Sequence, residues 1–157
     1  MRNLLRNTQP VFYRLYEGEK EILGPWGEST GLYVPKYGPL KSAMIFVSPS
    51  VGTAEAEMFG TLIQYDKTMS TADTKLEIDE DDVLWIDNAD TDGPWNYIVK
   101  AVRRWKNSVS YAIQQVTVSA YNAQQKQIQE MKAKAQQVID QQIAQHEVDN
   151  AENKAEP

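Results

Sequence analysis

Four consecutive carboxylates, Asp79-Glu80-Asp81-Asp82, are the first residues whose types and spacing suggest chemistry, since hard cations bind clustered carboxylate oxygens. The plainer reading is a solvated acidic loop ahead of a strand, and the sequence favours it. Asn88-Ala89-Asp90-Thr91-Asp92-Gly93 begins like a calcium-binding EF-hand loop. Such a loop needs a bidentate Glu at its twelfth position and a helix on each side. That position is Val99, inside a strand-like pattern, so a tight Asp/Gly turn is expected instead. Arg103, Arg104 and Lys106 form a compact basic patch. It is a candidate for phosphate contacts with DNA in a channel. The plainer reading is an exposed strand end, or salt bridges to an acidic neighbouring subunit, and the acidic chain favours it. Trp85, Trp95 and Trp105 are candidates for an aromatic platform that binds a sugar or base. Aromatics on alternating strands more often anchor a core or an interface.

Composition removes several function classes. The chain has 157 residues, 22 acidic and 16 basic, with a net charge of −6. An acidic chain is a poor general nucleic-acid binder, although a local basic patch is compatible with it. There is no cysteine, hence no disulfide framework, zinc-thiolate site or cysteine nucleophile. The single histidine, His146, lies far in sequence from any serine or acidic cluster, which argues against a Ser-His-Asp triad. No glycine-rich phosphate loop, nucleophile elbow or placed acid/base pair is visible, and no cofactor is implied. The start, MRNLLRNTQPVFY, lacks an apolar run of signal-peptide length. No stretch approaches the roughly 20 apolar residues of a transmembrane helix. The expectation is a soluble, non-enzymatic protein made in a cytoplasm, with no membrane partner.

The elements that must position these residues change character near Ser119. Every glycine precedes it, and the chain beyond is rich in Gln, Ala and Lys, with Tyr121 as its one aromatic. Before it, short alternating runs and turn residues predict strands. Val11–Tyr16 should turn back through Glu17-Gly18-Glu19 into Lys20–Leu23 as a first hairpin. Gly24-Pro25-Trp26-Gly27 reads as a turn, and 31–39, with Pro35, Gly38 and Pro39, as an extended connector. Leu40–Ser48 reads as a strand. Ala54–Phe59 and Thr61–Met69 read as a long hairpin about Gly60, with a helix over Thr53–Phe59 as the rival. Val83–Asp87, Trp95–Trp105 and Val109–Val118 complete the strands, with turns at Asn88–Pro94 and Asn107.

Ala120–Val148 reads as one long helix, fraying after about Asp149. Tyr121, Ile128, Met131, Ala135 and Val138 fall at heptad spacing, with Ile139 and Ile143 beside them. The stripe is thin, so such a helix needs a docking surface, such as another copy. The fold expected is mainly β: a small β-barrel body over 1–118 with a long hairpin or loop excursion, then a long C-terminal α-helix in a Gln-rich extension over 119–157.

Three stretches carry a family resemblance: MRNLLRNTQPVFYRLYEGE, GTAEAEMFG…YDKTMSTADT, and DEDDVLWID…TDGPWNYIVKAVRRWKNSVSYAIQQV. Through them residues 1–118 resemble the small head-closure or head–tail connector (stopper-type) proteins of siphophages and related tailed-bacteriophage prophages. The likeness is one of running pattern, without a catalytic motif. It implies a small β-barrel subunit, synthesised in the host bacterial cytoplasm and built into the virion neck. There it forms a homo-oligomeric ring between portal and adaptor proteins on the head side and tail-terminator or tail-tube proteins on the tail side. The ring retains packaged DNA, which it would contact non-specifically, and docks the tail. Some members carry a channel-closing loop; the candidate here is 49–75, with Gly52, Phe59, Gly60, Tyr65 and Lys67. The Gln-rich helix departs from the family pattern and suggests an added contact through Tyr121, Ile128, Met131, Val138 and Ile139. The alternatives are a tail-terminator or tail-completion ring subunit, and a carbohydrate- or host-binding module resting on the tryptophans.

Overall fold

The computed structural model describes residues 5–48, 58–60 and 62–155. After a 3-10 turn at Leu5–Asn7 come the strands β1 (Thr8–Arg14), β2 (Tyr16–Leu23), β3 (Ser29–Tyr37), β4 (Lys41–Ser48), β5 (Lys67–Thr71), β6 (Val83–Trp85), β7 (Tyr97–Arg104) and β8 (Val109–Gln115). A single long helix, α1 (Val118–Ala155), follows. The chain is mainly β, as its alternating patterns and turn residues predict.

Six strands close into an antiparallel barrel in the order β1-β4-β5-β8-β7-β6. Closure leaves no free sheet edge. Alternation then sorts side chains by face. Val11 and Tyr13 of β1, Ile45 of β4, Met69 of β5, Leu84 of β6, and Tyr97 and Val99 of β7 fill the interior with Val109, Tyr111 and Ile113 of β8. Each fully buried aliphatic there contributes about 1.5–3 kcal/mol. A bulge lets β7 keep its faces in register: pairing shifts between Val99 and Ala101, with Lys100 as the extra residue. Val99 and Val102 therefore both serve the interior, while Ala101 joins Ala112 in a separate cluster.

Two more clusters complete this unit. Phe59, with Met58, Ile63 and Tyr65, packs on Ala101 and Ala112. Val83, Trp85 and Trp95 gather Phe12, Tyr37, Val116 and Tyr121. Trp95 meets Trp85 and Tyr121 edge-on, at centroid distances of 6.2 and 4.7 Å. Asn96 stitches β6 to β7 with its side chain: its Nδ2 donates to Ile86 O, and its Oδ1 accepts from Ile86 N.

The chain divides into two compact units, Met1–Glu17 with Tyr37–Tyr121, and Gly18–Lys36 with Asn122–Pro157. In the second, β2 and β3 form a two-stranded sheet joined by the Gly24–Gly27 turn, where Gly27 N donates to Gly24 O at 3.0 Å. Such a sheet is marginal alone. It meets α1 through Gln142 Nε2, which donates to Ser29 O, and through Trp26 stacked on His146 with centroids 4.3 Å apart. Ala135 is fully buried.

Several sequence expectations are corrected. β1 does not form a hairpin with β2, because β4 and β6 occupy both its edges. The connector read over 31–39 is largely strand: β3 spans Ser29–Tyr37. Both strands of a two-stranded sheet are edges, so Pro35 is tolerated. The arm read over 61–69 is strand only from Lys67, and the described residues before it are loop, with Met58 and Phe59 helical. Most of the opposing arm, 54–57, lies outside the described residues. β8 ends at Gln115, and α1 begins at Val118. Thr117 caps it: its Oγ1 accepts from Ala120 N at 3.1 Å. The helix continues past Asp149 to Ala155, supported by side-chain pairs four residues apart, such as Gln145–Asp149 and His146–Asn150.

Candidate functional site

The two mouths of the barrel and the β7–β8 turn gather most of the residues singled out by sequence. At one mouth Lys67, on the interior face of β5, reaches Asp87, which follows β6. Nζ lies 2.7 Å from Asp87 Oδ2 and 5.3 Å from the Tyr97 ring centroid. Gln9 Nε2 of β1 donates to the other carboxylate oxygen at 3.2 Å. Asp87 and Asn88 have left-handed φ values of 58° and 61°, a conformation Asp and Asn accept better than most residues. The hydrogen bond from Lys67 holds the Asp87 carboxyl below its ordinary range, and the same bond raises Lys67. This pair makes a polar closure over an apolar interior.

The opposite mouth is closed by the chain between β5 and β6. Ile78 is fully buried within the barrel core, with Leu76 packed beside it. Arg104 locks this loop: its Nη1 donates to Leu76 O at 3.2 Å and its Nη2 to Ile78 O at 2.8 Å. The acidic run follows directly. Asp82 is only 2% exposed, which corrects the reading of this run as wholly solvated. Its Oδ1 accepts from Tyr16 N at 2.6 Å and its Oδ2 from Asp79 N at 2.8 Å. Loss of hydration raises its carboxyl, and these two N–H donors oppose the shift. Among the described residues no group of three or more His, Cys, Asp or Glu could hold a metal ion.

Asn88–Gly93 is a turn: Asp90 Oδ1 accepts from Asp92 N, and Gly93 N donates to Asp90 O. Gly93 O in turn accepts from Trp85 Nε1 at 3.1 Å. Trp85 and Trp95 are buried anchors, whereas Trp105 is exposed in the β7–β8 turn.

The basic patch splits by role. Arg104 is committed to the loop carbonyls, and Arg103 Nε donates to Met58 O at 3.3 Å. Lys106 is exposed. Of the candidate channel-loop residues, Phe59 is buried, and its ring lies 5.6 Å from that of Tyr65. Gly60 takes a left-handed φ of 80°, Lys67 belongs to the barrel mouth, and Gly52 lies outside the described residues. On α1, Tyr121 packs on Trp95, Ile128, Val138 and Ile139 are half-buried, and Met131 is 42% exposed.

Sequence reasoning missed Asp87 and Tyr97 as partners of Lys67, Gln9 as a second partner of Asp87, and Asp82 as a buried acceptor. The one local signal was Asp87-Asn88, two residue types that tolerate left-handed backbone, in adjacent positions. No helix among the described residues is long and apolar enough to cross a membrane. No protein-family model, curated protein or solved structure matches the chain.

Proposed function

We propose that this protein is a virion structural subunit that forms a ring at the head–tail interface of a tailed bacteriophage, closing the head after DNA packaging and docking the tail. The observation that carries the reading is the closed six-stranded antiparallel barrel, the kind of body that the resemblance of residues 1–118 implies for a connector subunit. Its interior is filled by side chains, and both mouths are closed by structural contacts, Lys67–Asp87 at one and Ile78–Arg104 at the other. Such a body works through its outer surface. Large apolar side chains remain exposed there, including Met44 of β4 and Trp105, and contacts between copies would cover them.

The test is to locate the protein in particles produced by a genome that encodes it. Cryo-electron microscopy should place the barrel as a ring of density at the neck, between portal and tail tube. Absence from the particle, or density at the tail tip or fibres, overturns the proposal.

A further inference from the structure

Two exposed tryptophans lie in surroundings of opposite charge. Trp105, 47% exposed, stands in the β7–β8 turn between Arg103-Arg104 and Lys106. Arg104 is held by the carbonyls of Leu76 and Ile78. Arg103 uses its Nε on Met58 O, which leaves its terminal nitrogens for other partners. Among the described residues no carboxylate forms an ion pair with Arg103 or Lys106. This turn therefore presents an indole flanked by two cations that have no carboxylate partner among the described residues.

Trp26, 53% exposed, lies at the tip of the β2–β3 turn and stacks on His146 with an interplanar angle of 18°. His146 belongs to a stretch of α1, 135–153, that contains Asp140, Glu147, Asp149 and Glu152 and no Lys or Arg. Glu28, whose carboxylate accepts from Trp26 N at 3.1 Å, adds another negative charge. Gln136 and Gln145 donate to Asp140 and Asp149, which orients these carboxylates without neutralising them.

We infer that the Arg103–Lys106 turn of one copy docks on the Trp26–His146 face of a second copy, indole against indole with cations over carboxylates. Such a contact would cover two tryptophans that are each about half-exposed. Charge complementarity selects the partner, because like surfaces of two copies would repel. The two surfaces differ, so the contact is head-to-tail, and repetition of such a contact closes into a ring when the rotation permits. That last step alone rests on the ring reading above.

The absence of native cysteine makes the contact directly testable. Asn107→Cys marks the turn and Asn150→Cys marks the helix face, one helical turn beyond His146. When the two full-length variants are mixed and oxidised, the cross-linked pair should form roughly ten times faster than in either variant alone. Adding Glu147→Lys and Asp149→Lys to the helix variant should reduce the mixture to the single-variant rate. Adding Arg103→Glu and Lys106→Glu to the turn variant as well should restore the faster rate. Circular dichroism verifies that each variant is folded. Equal rates in the mixture and the separate variants overturn the inference. So does a DNA outcome, in which a short duplex binds the chain through Arg103 and Lys106 while the mixture shows no preference. Neck density with equal rates removes this contact and leaves the ring reading standing; preferential cross-linking without neck density does the reverse.

Discussion

Lys67 Nζ and Asp87 Oδ2 lie 2.7 Å apart although they come from opposite walls of the barrel. In the closed order β1-β4-β5-β8-β7-β6, β5 and β6 are three places apart in either direction. The pair therefore spans the mouth like a strut, with Gln9 and Tyr97 on its flanks. Asp87→Asn keeps a residue type that accepts left-handed backbone while removing the charge. Half-exposure of the carboxylate lets solvent screen the interaction, so the expected loss is about 1 kcal/mol or less. Lys67 lowers the Asp87 carboxyl, so this stabilisation is complete above the unfolded value, near 3.8, and is lost as pH falls through the folded value. Urea unfolding of both proteins at pH 7 and pH 3 should show the difference shrinking at the lower pH.

Ile78 and Arg104 close the other mouth together. Ile78→Ala should cost about 2–5 kcal/mol, because the barrel interior collapses poorly around a lost side chain. Arg104→Met leaves two loop carbonyls without their donor and should cost about 1–3 kcal/mol. Denaturation midpoints measure both effects. The double variant should lose less than the sum, since both residues hold the same loop.

Tyr111 is fully buried, and among the described residues its hydroxyl has no hydrogen-bond partner. Burial pushes its ionisation up to about 12. The neutral hydroxyl is favoured in the fold, so its contribution to stability is complete below the ordinary tyrosine value of 10.0 and is lost as pH rises through about 12. Tyr111→Phe should therefore be neutral or stabilising by up to about 1 kcal/mol at pH 7. It should also shift alkaline unfolding to higher pH, followed by circular dichroism. A large loss of stability at pH 7 would contradict the orphaned hydroxyl.

Asp82 differs from Asp87 in the sign of its response. Its carboxyl is raised by lost hydration, so its contribution to stability is complete below 3.8 and declines as pH rises through the folded value. A carbon-detected titration should find Asp82 titrating above, and Asp87 below, the ordinary aspartate value of 3.8. Asp82→Ala strands the N–H groups of Tyr16 and Asp79 and should cost about 1–3 kcal/mol.

Tyr121 links the first turn of α1 to the barrel by its edge-on contact with Trp95. In the full-length chain, Tyr121→Ala should expose Trp95, shift tryptophan emission to the red and lower stability by about 1–3 kcal/mol. Met131→Ala, at an exposed position of the same helix, should change stability by less than about 0.5 kcal/mol.

The sequence alone determined what local patterning can express. Alternation in Leu40–Ser48 and Val109–Val118, turn residues between strands and the Gln- and Ala-rich tail fixed the class as mainly β with a long helix. Val99 at the twelfth position of the Asn88 loop ruled out a calcium loop, and the structure has a strand there. Pairing was decided only in three dimensions. β1 reads as half of a hairpin because its neighbour in sequence is also strand-like, yet the barrel seats it between β4 and β6, where it can bury Val11 and Tyr13. Lys67 read as part of an excursion and Asp87 as a strand end; closure brought them together across 20 residues. Arg104 read as one of three equivalent cations until the carbonyls of Leu76 and Ile78 separated it from Arg103 and Lys106. Periodicity reports which face a residue occupies, because that depends on local backbone geometry. It cannot report which distant strand faces it, because that depends on how all six strands share one interior.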